Sequence, residues 1–286
     1  MIKQYFLLMR LNQPIGYLLL MFPCLWGILA ACSSIKDLEK NIFLIFLFVI
    51  GSIIMRSAGC VINDFFDINL DRQVSRTVLR PLAKGVISKF NAMILFIFLS
   101  LLGLSILLTL NELSIIIGLF SFVLLLIYPL TKRITYWPQL VLGITFNIGV
   151  LIGYSAISDS INLPIIYLYL SGIFWTLGYD TIYAHQDKED DIRVGVKSTA
   201  ILFGNHSKII ISIFYMLMLI FLCFYGIKSE STIYYFLSLL FVTGHLIYQI
   251  LLLNINNSNL CLAIFKSNQY LGIIICCSLL LNLNII

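Results

Sequence analysis

The chain has 286 residues, of which 60% are hydrophobic and 11% charged, with a mean hydropathy of +1.02 and a net charge of +5. A soluble globular domain carries about 25% charged residues, so this composition cannot cover a water-facing surface and excludes a soluble globular protein. Apolar runs recur along the whole length with no long polar linker, which predicts one membrane domain over 1–286 rather than a soluble domain on an anchor.

The N-terminal stretch is interrupted by Arg10, Asn12 and Pro14 and is not closed by a small-residue cleavage site. It does not read as a signal peptide, and the first helix is expected to be retained. A spanning helix needs about 20 mostly apolar residues. On that measure the predicted spans, in chain order, are 15–33, 42–62, 90–110, 113–130, 138–157, 162–183, 208–226, 232–253 and 260–284. The expected fold is therefore an all-α membrane protein of about nine transmembrane helices.

Lys and Arg set the orientation. With the N-terminus inside, Lys3, Arg10, Arg72, Arg76, Arg80, Lys84, Lys89, Lys132, Arg133, Lys188, Arg193, Lys197, Lys208 and Lys266 fall in inner segments. The outer loops keep only Lys36, Lys40 and Lys228, and Arg56 lies within the second span. The 14-to-3 split predicts a cytoplasmic N-terminus. It also puts the two longer polar connections, after the second and sixth spans, on the cytoplasmic side. Lys89, Lys208 and Lys266 are read as obeying this bias and nothing more. The seven cysteines lie mostly in apolar runs without a CxxC pair, so they are expected to behave as small hydrophobes rather than as ligands or disulfides.

The second span runs into an acidic segment. If the helix continues, Asp64, Asp67 and Asp71 at i, i+3 and i+7 share one face within roughly 60°, with Asn63 at its edge. Three carboxylates on one stripe repel one another unless something neutralises them, and an oxygen-only donor set suits a hard cation, magnesium above zinc. The bland alternative is a solvated helix end, but acids next to membrane depth are costly and usually functional. The sixth span ends in a second line. On a continuous helix Asp180, Asp187 and Asp191 fall within about 40° of each other. Two facing lines of acid on one side of the membrane suit a diphosphate bridged by magnesium, and the pair is more specific than either line alone.

Around these lines stand Arg72, Arg76, Arg80 and Lys84, then Lys132 and Arg133, then Lys188, Arg193 and Lys197. Cations of this kind stabilise the charge that develops on a departing diphosphate, or they only follow the positive-inside bias. Tyr183, one turn before Asp187, is favoured as a phosphate donor. His185 is read as a satisfied helix-end histidine, and Glu189 and Asp190 are expected to face water.

These residues resemble the UbiA-type intramembrane aromatic prenyltransferases. The matching pieces are Asn63-Asp64-x-x-Asp67-x-x-x-Asp71, Arg76-Thr77-x-x-Arg80-Pro81-Leu82, Tyr128-Pro129-x-x-Lys132-Arg133 and Tyr179-Asp180-Thr181-x-Tyr183-Ala184-x-x-Asp187-x-x-Asp190-Asp191. Gly195-Val196-Lys197-Ser198-Thr199, the opening Arg10-Leu11-x-x-Pro14-Ile15-Gly16 and Trp26 also match, so the similarity covers essentially the whole chain. The Tyr179–Ala184 and Gly195–Thr199 stretches, with Pro138-Gln139, resemble the branch that prenylates 4-hydroxybenzoate in ubiquinone biosynthesis. Gln13 departs from the family, where a basic residue is frequent, and leaves Arg10 as the cation of its segment.

The resemblance implies a central cavity open sideways to lipid, with a cap of acid-bearing loops. It implies Asn63, Asp67 and Asp71 for one magnesium ion and Asp187 and Asp191 for another, with Asp64 and Asp180 supporting them or binding metal themselves. Tyr128, Lys132, Tyr183 and Arg10 fall where the family contacts diphosphate. Arg76 and Arg133 are candidates for either the diphosphate or the acceptor carboxylate. The implied partners are a polyprenyl diphosphate, 4-hydroxybenzoate and the bilayer of a bacterial inner membrane, with no nucleic acid. Homogentisate, a naphthoate or haem stay open as acceptors. A secondary transporter is the alternative from another class, but transporters place their acids near the midplane on broken helices.

Overall fold

The computed structural model describes residues 1–284. Its helices are α1 (Ile2–Leu8), α2 (Pro14–Ala31), α3 (Ile35–Lys40), α4 (Ile42–Asp71), α5 (Lys89–Leu107), α6 (Glu112–Ile134) and α7 (Pro138–Ser158). They continue with α8 (Leu163–Ala184), α9 (Lys188–Val194), α10 (Thr199–Phe203), α11 (Ser207–Lys228), α12 (Ile233–Leu252) and α13 (Ser258–Leu280). Each of the nine predicted spans coincides with a long helix of this set. Eight helices among the described residues are long and apolar enough to cross a membrane. The one that is not is α8, which carries Ser171, Thr176, Tyr179 and Asp180 and buries most of its length among other helices. A helix surrounded by protein needs no lipid-facing apolar surface, so its sequence is free to be more polar.

The helix starts follow local chemistry. Ser88, Asn111, Asn162, Thr232 and Asn257 each accept a hydrogen bond from a backbone N–H of the first turn of the helix they precede, which satisfies donors that a helix cannot pair itself. Pro14, Pro138 and Pro164 sit at the first or second helical positions, where a missing N–H costs nothing.

Packing divides the bundle around a cavity. On one side α2, α7, α8, α11, α12 and α13 share a core built on Trp26, Trp175, Tyr179, Tyr215 and Tyr235. The rings of Trp26 and Trp175 lie 5.1 Å apart, and the Trp175 indole donates to Asn268 at 2.7 Å. Helices α2 and α7 approach backbone to backbone, because a Cβ on Gly27 or Gly153 would strike a main-chain carbonyl of the facing helix. Small residues let membrane helices close in this way. On the other side α4, α5 and α6 pack with α1 through Leu8, Ala58, Val61, Phe96 and Leu99. Helix α4, with 30 residues, is about 45 Å long, against a hydrocarbon core of roughly 30 Å. It therefore runs unbroken past its apolar part and carries the first acid line on its last two turns.

Candidate active site

A cavity of about 1180 Å³ occupies the space between the two groups of helices. Asn63, Asp64, Asp67 and Asp71 line it from α4, Tyr128 and Lys132 from α6, and Asp180 and Tyr183 from α8. Arg10, Arg76, Asp187 and Asp191 line it from the α1–α2 connection, the α4–α5 loop and the segment after α8. Both acid lines thus face one space, as the two spacings predicted. The geometry of the second line differs from the continuous helix expected for it. Helix α8 ends at Ala184, His185 and Gln186 turn, and Asp187 is the N-cap residue of the separate α9. Asp180 stands on the membrane helix while Asp187 and Asp191 belong to the cap.

The first line is buried and held by cations from three other segments. Asp64 accepts from Arg10 at 2.6 Å and from Arg80 at 3.0 Å, and Asp71 accepts from Arg80 at 2.8 and 2.9 Å. Lys132 donates to Asp67 Oδ2, whose side chain is only 1% exposed. Lys132 and Arg133 are consecutive on α6 and so point about 100° apart. That is why Lys132 enters the cavity while Arg133 stays half exposed and donates to the Phe66 carbonyl at 2.6 Å.

The second line is held by the cap. Arg76 donates to both Asp187 carboxylate oxygens, from Nε at 2.7 Å and from Nη2 at 2.5 Å, and its guanidinium lies 5.5 Å over the Tyr183 ring. Asp190 faces water as expected and also accepts from Ser75 N and Oγ at 3.0 and 2.6 Å, which ties the two loops together. Burial first, and then the neighbouring Asp187, push the Asp191 carboxyl up to about 7. His185 is buried with no hydrogen-bond partner on either ring nitrogen, rather than satisfied as expected. Its burial, with Lys188 nearby, moves it down to about 4, so it is neutral at pH 7.

Three cations of the site escaped the sequence reading in part. Arg80 bridges two acids of the first line, although it was named only among the surrounding cations and given no site role. Lys266 lines the cavity from α13, beyond the charge bias assigned to it. Arg56 faces the cavity from two turns before Asp64, with a buried Nε that has no hydrogen-bond partner, and its guanidinium lies 5.7 Å from the Phe146 ring centre. Asp180 lines the same cavity and makes no hydrogen bond among the described residues.

No group of three or more His, Cys, Asp or Glu side chains among the described residues converges as a closed metal cage. The acids are interleaved with guanidinium and ammonium groups instead. That arrangement fits a ligand carrying both signs, whose metal takes carboxylate oxygens while its phosphates take Arg and Lys. The donor set is oxygen-only, and Asp67 Oδ1 is buried without a hydrogen-bond partner.

The UbiA prenyltransferase family profile matches residues 20–273. This chain belongs to the UbiA prenyltransferase family. Curated UbiA relatives include the mitochondrial 4-hydroxybenzoate polyprenyltransferase of Drosophila melanogaster, 47% identical over 96% of this chain and 69% of its own length. The human protein of the same name is 46% identical over 96% of this chain and 74% of its own length. A solved structure of a UbiA homolog from Archaeoglobus fulgidus bound to GPP and Mg2+ superposes with a TM-score of 0.73 at 19% identity, covering 97% of this chain and 99% of that one. The UbiA architecture therefore holds across the described chain, and the protein is a multi-pass integral membrane protein.

Proposed function

We propose that this chain transfers a polyprenyl group from polyprenyl diphosphate to the ring carbon ortho to the hydroxyl of 4-hydroxybenzoate, with magnesium, in ubiquinone biosynthesis. The observation that carries the reading is that both acid lines and their interleaved cations line one cavity whose deeper part is apolar. The names of the curated relatives support the acceptor. The GPP- and Mg2+-bound relative supports the class of donor and the metal.

Asn63, Asp67 and Asp71 would hold one magnesium ion and Asp187 and Asp191 the other, supported by Asp64 and Asp180. Bound magnesium supplies Lewis-acid charge at the diphosphate oxygens. Arg10, Arg76, Arg80 and Lys132, held beside the acids, offer their remaining N–H groups to phosphate oxygens and balance the negative charge that grows as the C–O bond breaks. Tyr128 and Tyr183 add hydroxyl donors from the cavity wall. The apolar wall excludes water that would quench the allylic cation. Arg76 is committed to Asp187, and Arg133 is turned to the Phe66 carbonyl. Arg56, deeper in the cavity with an unpartnered Nε, is therefore the group we assign to the acceptor carboxylate. The ring carbon attacks the cation, and the ring proton is lost as aromaticity returns. Asp180 faces the same space without a hydrogen-bond partner and is placed to take that proton.

The chain acts as one polytopic domain over 1–286. The site is assigned to the cytoplasmic face of a bacterial inner membrane, and the positive-inside bias of the sequence supports the side. A membrane assay with labelled polyprenyl diphosphate and a panel of aromatic acceptors, with and without chelator, tests the reading. Prenylated 4-hydroxybenzoate that disappears with chelator and returns with magnesium is expected. Preferential product from another acceptor would overturn the acceptor assignment, and chelator-insensitive product would overturn the metal.

A further inference from the structure

Beyond the acid lines the cavity continues as an apolar arm between α4, α5 and α6, walled by Met55, Leu101, Gly103, Leu107, Gly118 and Leu119. Leu101 is 59% and Leu119 47% exposed on the outside of the bundle, so the arm reaches lipid sideways. Glycines shape its bore at two levels. A Cβ on residue 103 would fall on the Met55 sulfur, with Met55 Cγ at 3.3 Å, because the Met55 side chain lies in the notch that Gly103 leaves in α5. A Cβ on residue 118 would stand 2.5 Å from Leu107 Cδ1, the same device at the outer end of the arm. Glycine in mid-helix is less favourable than alanine. Met55 precedes Asp67 by twelve residues on unbroken α4, so it stands about 18 Å along the helix from the acids.

We propose that the Gly103 notch keeps this arm open to long isoprenoid tails by seating Met55 outside the bore, so that Met55 and Gly103 together set the donor tail length the site accepts. The proposal rests on the prenyl-donor reading and extends it to the length of the tail. A methyl group in the notch evicts Met55, a flexible side chain with three rotatable bonds. The open space beside it is the arm. A tail that must run past this level then meets the thioether, while a short tail ends before it. A second wall of the cavity, at Tyr17, Leu262, Phe265 and Gln269 between α2 and α13, offers the tail another way out. Were that the tail's path, residue 103 would not sense tail length.

The experiment compares kcat/KM for geranyl diphosphate and all-trans-octaprenyl diphosphate, with 4-hydroxybenzoate as acceptor, in the purified full-length protein. Gly103→Ala is expected to lower the octaprenyl-to-geranyl ratio at least about tenfold, in line with the cost of overpacking a filled space. Adding Met55→Ala to it should restore the ratio. Should Gly103→Ala fail to fold, Met55→Trp narrows the bore with the notch intact and must lower the same ratio. An unchanged ratio, or equal loss of both donors without rescue by Met55→Ala, overturns the proposal. A parent protein that transfers both tails, with variants that do not discriminate, contradicts the gauge alone. A parent that transfers neither contradicts the prenyl-donor reading and the gauge with it.

Discussion

The two acid lines are alike in composition and different in construction. The first is carried by one unbroken helix, is buried, and draws its cations from residues 10, 80, 132 and 133. The second is split between the end of α8 and the short α9, is more open, and is held to the opposite loop by Arg76–Asp187 and Ser75–Asp190. Buried charge is costly unless it is paired with good geometry, so each acid of the first line is part of what holds α4 against α1, α6 and the loop after it. Pairs near water are worth little to stability, so the second line can let go. The difference assigns the first line to a fixed floor and the second to a cap that moves with the substrate.

The comparison can be broken at several strengths. Asp67→Asn, which keeps the shape of the side chain, is expected to cut turnover about a thousandfold while the bundle stays folded, checked by membrane assay beside a thermal melt. Arg80→Leu leaves Asp64 and Asp71 without their shared guanidinium, and a destabilisation of about 3 kcal/mol is expected, read as a lower melting temperature. Unchanged stability in that variant would remove the fixed-floor assignment. Arg56→Leu is expected to raise the acceptor KM about a hundredfold with a smaller change in the donor KM, since the carboxylate loses a desolvated partner. Ser75→Ala removes hydrogen bonds that are exposed to solvent, so its effect on turnover should stay below about tenfold and its melting temperature should not move. A Ser75→Ala variant as unstable as Arg80→Leu would erase the distinction between the lines.

The first line was legible in the sequence because its spacing and its helix agree: Asp64, Asp67 and Asp71 need only local periodicity to be placed on one face. The long helices were legible for the same reason, and α8 alone falls short on apolarity because protein, not lipid, surrounds it. The break at His185 and Gln186 left no periodic signal, since the acids on either side of it still return to the cavity. Cation partners were harder to read. Arg10 and Asp64 are 54 positions apart, Lys132 and Asp67 65, and Arg76 and Asp187 111, and no local pattern couples such distances. Arg56 did carry a signal, a charge inside an apolar span, whose meaning emerged only with the unpartnered Nε facing the cavity. Asp190 is a solvated acid whose tie to Ser75 was not legible, because the two lie 115 positions apart on different loops.

The central claim is that the two lines act together, through magnesium, on one diphosphate. It is tested most directly by the binding of a labelled prenyl diphosphate to the purified protein as magnesium is titrated, in the parent, in Asp67→Asn and in Asp191→Asn. The account predicts donor binding that needs magnesium in the parent and is lost in both variants, although the substituted residues lie on different lines. Donor that binds the parent equally well in chelator, or that binds either variant with the parent's magnesium dependence, would contradict it.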